Sequence, residues 1–514
     1  MEMIEAGRGS TMKRRDLMRG AAMISAGAMF MRPLGLSAKE GGLADIRKAV
    51  DIGRDASIKR IRDWIALPSI AAENRNMPEG AAYMAELAKD AGFTNVEIVP
   101  TDGHPGVFGT IDVGAKRTLG IYFMYDVKQF DPAEWSSPPL EGRMVDRAGF
   151  GKAIMGRGAV NQKGPEATFL AALHAIKAAG RSLPVNIVLI CEGEEEIGSP
   201  HFQQVATKSN ILAALRKCEG IFIPASWQDK SGSVDVNLGS KGIVELELIA
   251  SGEKWGRGPK GDVHSSLKAM IDSPAWRLVA ALNTLVTADG NTPIIDGWFE
   301  NVRPLTAREK SLITEAAKLG DEAEQKKILG VTHWIDNLPY DQAQIRLAQE
   351  PTVNIEGLVA GYTGPGGKTI LPGRAVAKLD LRLVPNQTRD EAVQKLRAHL
   401  DKRGFSDVEM KIGGGYDPTE TPESSRLIQT ELATYRKLGV TATLNARLAG
   451  SWPGATFTSP PVSIAAGHFG IGHGAGAHAP DEYYLIDSTN PKVAGLEDAT
   501  MGYVEFLYVL AAMK

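Results

Sequence analysis

Short apolar runs alternate with amphipathic stretches along most of this chain. The runs at 119–125 and 185–191 are almost wholly apolar, as strands buried on both faces of a parallel sheet are. Apolar residues recur at helical spacing in the stretches 44–65, 80–91, 165–179, 200–215, 424–438 and 495–513. This succession of strands and helices predicts a doubly wound α/β sheet.

A different pattern begins at residue 244, where apolar and charged residues alternate through VELELI. Such alternation indicates a strand with one exposed face. Further helices are predicted at 274–288, 306–329 and 389–402, with a strand at 375–383, before the α/β rhythm returns near 422. At 514 residues the chain also exceeds what one core usually holds. We therefore expect one domain at 39–243 and 416–514, interrupted by a smaller α+β domain at 244–415.

Carboxylates follow two of the predicted parallel strands. Glu192, Glu194, Glu195 and Glu196 come after the second apolar run, and Asp126 comes after the first. Ligands of open α/β sheets bind at the carboxyl ends of the strands, so this edge is where we expect chemistry. Taken alone, the acid run is equally consistent with a solvated face or with the first turn of a helix, where acids favour the helix dipole.

The overall composition is that of an ordinary globular protein, with 43% apolar and 23% charged residues. The net charge of -3 and the lack of a basic stripe argue against a nucleic-acid partner or a membrane-surface partner. The two cysteines, Cys191 and Cys218, are too few for a disulfide framework or a thiolate zinc site. Each is expected to be a small buried residue, and the sequence leaves open whether the two pair.

Residues 1–38 have the pattern of an export signal. Lys13, Arg14 and Arg15 precede a mildly apolar stretch at 20–31. That stretch is too short to span a bilayer, which takes about 20 helical residues. Twin arginines before a weakly apolar segment are typical of the twin-arginine route. We expect a periplasmic or secreted mature protein with no membrane span; a leader without a targeting role is the alternative.

Five motifs in a fixed order give the chain a family resemblance. They are MYDV, GRGAVNQKG, EGEEEIGS, GDVHSS and AHAPDEY. Together they resemble the co-catalytic zinc peptidase family of aminoacylases, carnosinases, succinyl-diaminopimelate desuccinylases and glutamate carboxypeptidases. The resemblance implies a doubly wound catalytic domain of zinc-exopeptidase type that is interrupted by a smaller α+β lid and dimerisation domain. It also implies a homodimer and a centre with two zinc ions.

Three positions at which the family has zinc ligands carry other residues here. A His is replaced by Met124, the bridging Asp by Asn161, and a second acid by Ala225. A thioether and a carboxamide are weak zinc ligands, and a methyl group is none. We therefore expect at most one zinc ion, held by Glu196 and His478 with Asn161 as a third contact, or no tightly bound metal.

The resemblance also implies roles for residues that are retained. Glu195 would be the catalytic base that takes a proton from water, and Asp126 the catalytic-site carboxylate that orients its neighbours. His264, in GDVHSS, would be the catalytic partner of the oxyanion in a neighbouring subunit's cleft. Arg382 would bind a substrate carboxylate, a task suited to its planar guanidinium. The substrate-binding candidates are Arg382, Ser451 and Asn161.

Several of these side chains have ordinary structural alternatives. Read alone, His264 is a structural histidine and Arg382 belongs to a surface ion pair on its strand. Two further histidines, His468 and His473, precede the last motif's histidine at five-residue steps, where both loop packing and recruitment into a rebuilt site are open. Lys163, in NQKG, either stabilises its glycine turn or replaces positive charge that is lost with a metal.

The leading expectation is an exported hydrolase of the peptidase or amidohydrolase type. It would act on an amide-like bond in a small carboxylate-bearing or short peptide-like substrate. The first alternative is a metal-independent lyase, isomerase or acyl-transfer enzyme on the same fold, because crowded carboxyl groups have raised pKa values and can act without a metal. The second is a non-catalytic periplasmic binding protein, because three metal ligands are lost.

Overall fold

The computed structural model describes residues 42–514, so the export signal expected at 1–38 lies outside the described residues. Up to the insertion, the elements in chain order are α1 (Ala44–Ile52), α2 (Arg54–Ile65), α3 (Met77–Asp90), β1 (Thr94–Val99), β2 (Gly106–Ile111), β3 (Thr118–Met124), β4 (Arg143–Arg147), β5 (Gly151–Met155), α4 (Gly164–Ala178), β6 (Asn186–Glu192), α5 (Phe202–Ala206), α6 (Ser209–Leu215), β7 (Ile221–Pro224), β8 (Val234–Asn237) and β9 (Gly239–Ser240).

The insertion and the C-terminal part continue the list. The insertion contains β10 (Gly242–Ser251), α7 (Gly252–Trp255), β11 (Val263–His264), α8 (Pro274–Leu282), α9 (Ala307–Leu319), α10 (Glu322–Leu329), α11 (Tyr340–Gln349), β12 (Thr352–Ala360), β13 (Ile370–Leu371), β14 (Arg374–Leu383), α12 (Arg389–Lys402) and β15 (Glu409–Tyr416). After it come β16 (Thr419–Glu420), α13 (Arg426–Leu438), β17 (Ala442–Asn445), α14 (Ala455–Thr458), β18 (Ala466–Phe469), β19 (Gly474–Ala475), β20 (Tyr483–Ser488) and α15 (Leu496–Ala512).

The apolar runs form a six-stranded sheet with the order β1-β2-β6-β3-β7-β18. The last four strands in this order are parallel, and β1 and β2 form an antiparallel edge. Successive residues of β3 enter different cores, since Ile121 and Phe123 pack on one face and Tyr122 on the other. The strand is apolar throughout because both of its faces are covered.

Helices lie on both faces of this sheet. The core on one face includes residues of α1, α2, α4, α13 and α15, and the core on the other includes residues of α5, α6 and α14. The predicted doubly wound α/β fold is therefore confirmed. Both cysteines are buried and free, Cys191 in the first core and Cys218 in the second. None of the helices in residues 42–514 is long and apolar enough to cross a bilayer.

The insertion is built on an antiparallel sheet with the order β12-β14-β10-β15. Val244 and Leu246 of β10 join a core with α8 and α12, whereas Glu245 and Glu247 stay partly exposed on the opposite face. The alternation that marked a change of domain in the sequence thus arises because only one face of β10 is packed against helices. The sheet begins at Gly242 and ends at Tyr416, so it spans the predicted insertion.

The helices predicted at 44–65, 200–215 and 306–329 are each divided in two. The first breaks at Gly53, where glycine has a weak helix preference. The third breaks at Gly320, which is extended, and α10 then begins because the Asp321 side chain accepts a hydrogen bond from the Glu324 N–H. The pattern also missed the exposed edge strand β12 and the small sheet β19-β20-β5-β4.

Candidate active site

Two neighbouring parallel strands deliver carboxylates to one edge of the central sheet. β3 and β6 pair in register up to Met124 and Glu192. Asp126 follows β3, and Glu195 begins a short turn of helix that follows β6. The two segments therefore meet at the carboxyl ends of their strands, where α/β sheets bind ligands.

Asp126 holds the turn that carries Glu195 and Glu196. Its carboxylate accepts hydrogen bonds from the backbone N–H of Glu195 at 3.3 Å and of Glu196 at 3.0 Å. Burial, followed by the negative charge of Glu196, raises the pKa of Asp126 to about 8. Burial, then Glu196 and Asp126, also raise the pKa of Glu195 well above its usual range. Both carboxyl groups therefore hold a proton more tightly than an exposed acid does, which suits a group that accepts and returns a proton.

The acid run divides into structural and cleft-facing residues. The Glu192 carboxylate accepts hydrogen bonds from the Tyr122 hydroxyl at 2.9 Å and the Ser199 hydroxyl at 2.8 Å. Glu194 accepts the His104 backbone N–H at 2.9 Å and contacts the His201 ring. These two acids therefore stabilise the loops around the site. Of the acid run, Glu195 and Glu196 line the cleft.

Asn161, Glu196 and His478 meet at the centre of the site. The Asn161 side-chain amide donates to Glu196 Oε1 at 2.6 Å and lies 3.1 Å from His478 Nε2. The other oxygen of Glu196, Oε2, lies 3.2 Å from His478 Nε2. The predicted ligand candidates are thus brought together, with a carboxamide between them.

A buried carboxylate fixes the loop that carries Asn161. Glu482 accepts the backbone N–H groups of Gly158, Val160 and Asn161, each at 2.9 Å, and the Arg157 guanidinium at 2.8 Å. This loop follows β5 and Glu482 precedes β20, so the pairing of β5 with β20 brings them together. The arrangement orients the Asn161 side chain toward Glu196.

The position of Lys163 rules out one sequence hypothesis. Its ammonium is fully buried and donates to the carbonyl oxygens of Trp64 at 2.9 Å and Leu67 at 2.8 Å. Burial lowers the pKa of Lys163 to about 7. The side chain therefore anchors its turn to the end of α2 and brings no positive charge into the cleft.

Lys128 is a cationic side chain of the cleft that the sequence motifs did not identify. It donates to the Glu196 carbonyl oxygen, and its Nζ lies 3.4 Å from Glu196 Oε2. The side chain is 31% exposed and lines the cleft. A lysine two residues after Asp126, at the end of the same strand, is the sequence signal that could have identified it.

The cleft has a volume of about 300 Å³. It lies between the turn after β6 and the antiparallel sheet β12-β14-β10-β15 of the insertion, and we call the insertion the lid. The lid contributes Arg382 from β14 and Tyr416 from β15, and Tyr416 donates to the Glu195 carbonyl oxygen at 2.8 Å. The Arg382 guanidinium donates to Ser451 Oγ at 3.1 Å and to Asp380 at 3.1 Å. Of the three predicted substrate-binding residues, Arg382 and Ser451 therefore line the same cleft as Glu195, whereas Asn161 is not among its lining residues.

The remaining histidines lie elsewhere. His264, on β11 of the lid, is exposed and contacts Ser266 Oγ at 2.8 Å, and it does not line this cleft. The ring of His468 packs between Trp227 and Trp452, with centroid distances of 4.9 and 4.7 Å. The ring of His473 stacks on the ring of Phe150, with the ring centroids 3.7 Å apart. Loop packing is thus the role of the last two.

The residues present do not fit a paired-zinc centre. The ligand positions taken by Met124 and Ala225 are 1% and 4% exposed and present only apolar groups. Catalytic zinc sites have three protein ligands, and this one offers only Glu196 and His478 of the types that zinc prefers. No three His, Cys, Asp or Glu side chains in residues 42–514 are arranged to hold an ion.

Comparisons with known proteins identify similar chains. A model of peptidase family M20/M25/M40 matches residues 124–501. The crystal structure of an M20 family metallo-carboxypeptidase from Sulfolobus solfataricus is similar with a TM-score of 0.78 and 30% identity, and the match covers 89% of this chain and 99% of that one.

Two dipeptidases are also similar in sequence. The Cys-Gly metallodipeptidase of Schizosaccharomyces pombe is 24% identical over 376 residues, which cover 70% of this chain and 76% of that protein. The Beta-Ala-His dipeptidase of Homo sapiens is 25% identical over 433 residues, which cover 76% of this chain and 80% of that protein.

Proposed function

The chain belongs to peptidase family M20/M25/M40 and is a peptidase-type hydrolase; from that premise we propose that it hydrolyses the amide bond of small, carboxylate-bearing, dipeptide-like substrates. One observation carries the proposal, namely that Glu195 and Arg382 line the same cleft of about 300 Å³. That volume suits a ligand of a few residues at most. The Cys-Gly and Beta-Ala-His dipeptidases among its relatives act on substrates of this size.

The side chains of this cleft divide the work of hydrolysis. The Arg382 guanidinium, held by Ser451, binds the substrate carboxylate through paired N–H groups. The ionised Glu195 takes a proton from water as the water oxygen attacks the amide carbon. When the carbon–nitrogen bond breaks, Glu195 returns that proton to the departing nitrogen. Its raised pKa serves both steps, because it makes the carboxylate a better base and keeps the proton available afterwards.

We further propose that this hydrolysis does not run through a paired-zinc centre. The proposal is supported by the donor set, since a carboxamide and two apolar side chains stand at ligand positions. The relatives named as metallopeptidases use metal in their own sites. Turnover that persists after dialysis against a chelator would support the proposal for this chain.

Substitution of Glu195 tests the catalytic assignment. Glu195→Gln keeps the shape of the side chain but removes its proton-accepting oxygen. We expect turnover of a dipeptide panel that includes Cys-Gly and Beta-Ala-His to fall by roughly 10²- to 10⁴-fold. Glu79→Gln, on the exposed face of α3, is the matched control and should retain full turnover. Full activity of Glu195→Gln on a substrate cleaved by the wild type would reject the assignment.

A homodimer is part of the same proposal. The edge strand β12 exposes apolar side chains, with Leu358 at 50% and Val359 at 54%, and α8 exposes Trp276 at 67%. Exposed apolar edges of this kind mark association surfaces. In such a dimer His264 would act in the partner's cleft. Sedimentation should show a dimer, and mixing inactive Glu195→Gln with inactive His264→Ala should restore part of the activity through hybrid dimers.

Export is the last element of the proposal. It rests on Arg14 and Arg15, which lie outside the described residues. Replacing both with lysine should retain the protein in the cytoplasm of the producing bacterium, as measured by cell fractionation. An unchanged distribution would reject the twin-arginine route.

A further inference from the structure

Three acidic groups lie together at the carboxyl ends of β3 and β6, and their charge must be balanced. Asp126 accepts the backbone N–H groups of Glu195 and Glu196, and the Glu195 and Glu196 side chains line the cleft. The family resemblance implies that zinc ions balance the corresponding acids in the metallopeptidase relatives. Here the balancing groups have to be found among the protein side chains.

The two oxygens of Glu196 are approached by nitrogen atoms of the protein. Oε1 accepts the amide of Asn161 at 2.6 Å. Oε2 lies 3.4 Å from the Lys128 ammonium and 3.2 Å from the His478 ring. The Glu196 side chain is only 3% exposed, so little of its carboxylate is open to solvent and these nitrogen atoms are its close neighbours. A carboxamide and an ammonium thus surround the carboxylate that would otherwise hold an ion.

The other cations near the site have different partners. Lys163 binds two backbone carbonyl oxygens at the end of α2. Arg157 is paired with the buried Glu482 at 2.8 Å. Arg382 is bound to Asp380 and lies on the lid. Among these side chains, Lys128 is the one that both contacts Glu196 and lines the cleft.

We propose that the ammonium of Lys128 takes the place of the metal cation in this cleft. It neutralises Glu196, and it directs an N–H group to the carbonyl oxygen of the scissile amide. As water attacks and Glu195 takes its proton, the carbonyl electron pair moves onto that oxygen, and Lys128 stabilises the negative charge. The electron pair then re-forms the carbonyl as the carbon–nitrogen bond breaks. Fixed cationic donors of this type are among the strongest contributors to catalysis.

This inference rests on the proposed hydrolysis, so its first test measures turnover. Lys128→Met removes the charge but keeps the length of the side chain, and we expect kcat to fall by roughly 10²- to 10³-fold while KM changes little. Lys128→Arg should retain a substantial part of kcat. Ethylamine added to Lys128→Ala should restore turnover in proportion to its concentration, which a purely structural lysine would not allow. Lys89→Met, on an exposed position of α3, is the matched control.

A second test does not depend on activity. Asn161→Asp gives the site three zinc-binding side chains, and zinc affinity can then be measured by calorimetry with and without Lys128→Met. If the ammonium occupies the place of the cation, removing it should tighten zinc binding by about tenfold or more, because a positive charge within a few ångströms opposes a second one. Thermal melts establish that each variant is folded.

The outcomes separate the two proposals. Turnover by Lys128→Met within about twofold of wild type, or zinc affinity that is unchanged by the lysine, would overturn the role of Lys128. If the wild type cleaves no dipeptide, the proposed function fails, and the zinc comparison still decides whether Lys128 stands in the place of the cation.

Discussion

The substitution Asn161→Asp converts the hydrogen-bonded centre into a potential metal site. In the wild type the Asn161 amide donates to Glu196 Oε1 at 2.6 Å and lies 3.1 Å from His478 Nε2. A carboxylate at this position cannot donate, and it adds a negative charge beside a carboxylate that is 3% exposed. A hydrogen bond to a charged group is worth about 1.5–3 kcal/mol. We therefore expect the metal-free variant to lose about 2–3 kcal/mol of unfolding free energy.

Zinc should reverse this loss in the variant alone. The introduced carboxylate, Glu196 and His478 provide the three protein ligands of a catalytic zinc site. At a free zinc concentration about 100 times the Kd, binding to the folded state adds about 2.7 kcal/mol of stability. Zinc would therefore return the variant to roughly the stability of the wild type.

Urea unfolding in chelator and in zinc measures both effects. Asn161→Ala is the control, because it removes the hydrogen bond without adding a ligand; it should be destabilised and should not respond to zinc. Equal stabilisation of the wild type and of Asn161→Asp by zinc would show that the substitution creates no zinc site. A variant as stable in chelator as the wild type would show that the Asn161 hydrogen bond does not stabilise this centre.

Three further predictions concern substrate binding and stability. Arg382→Met should raise KM for dipeptides by about 10-fold or more, since it removes a charge-assisted contact, and should leave amidated dipeptides unaffected; equal losses on both substrates in steady-state kinetics would contradict the carboxylate assignment. Burial lowers the pKa of His468 in the folded chain from its ordinary value of 6.5 to about 3. Between pH 6.5 and pH 3 this histidine is therefore protonated in the unfolded chain but neutral in the folded chain. Stability should therefore fall as pH drops below 6.5, by up to about 2 kcal/mol at pH 5, and guanidinium titrations of His468→Gln should show a smaller decrease than the wild type. Glu482→Gln should cost about 3–5 kcal/mol of unfolding free energy, because it removes the negative charge that neutralises the buried Arg157; a loss below 1 kcal/mol in the same assay would contradict that pairing.

The fold was predictable because its strands are buried in distinct ways. β3 and β6 are covered on both faces and therefore read as continuous apolar runs, whereas β10 is covered on one face and alternates. The exposed edge strand β12 has neither pattern, since its residues are mostly exposed. The pairing of β5 with β20 joins segments that are more than 300 residues apart, and local periodicity carries no information on it.

The candidate site was predictable where a residue's role depends on its position at a strand end. Asp126 and Glu195 are of this kind, and the structure places them together. The direction in which a side chain points was harder to predict than the place of its residue in the fold. Lys163 lies two residues from Asn161 in sequence, yet the turn between them sends its ammonium toward α2. Lys128 belongs to no quoted motif, although it reaches the acid that Asn161 also contacts.

We propose that protein nitrogen atoms stand in this cleft where the family resemblance implies paired metal ions. Elemental analysis of protein purified without added metal or a nickel column, combined with dipeptide turnover in chelator, tests it most directly. We expect well under one equivalent of zinc per chain and turnover that the chelator does not reduce. Two equivalents of zinc per chain, with activity that is lost in chelator and restored by zinc, would contradict it.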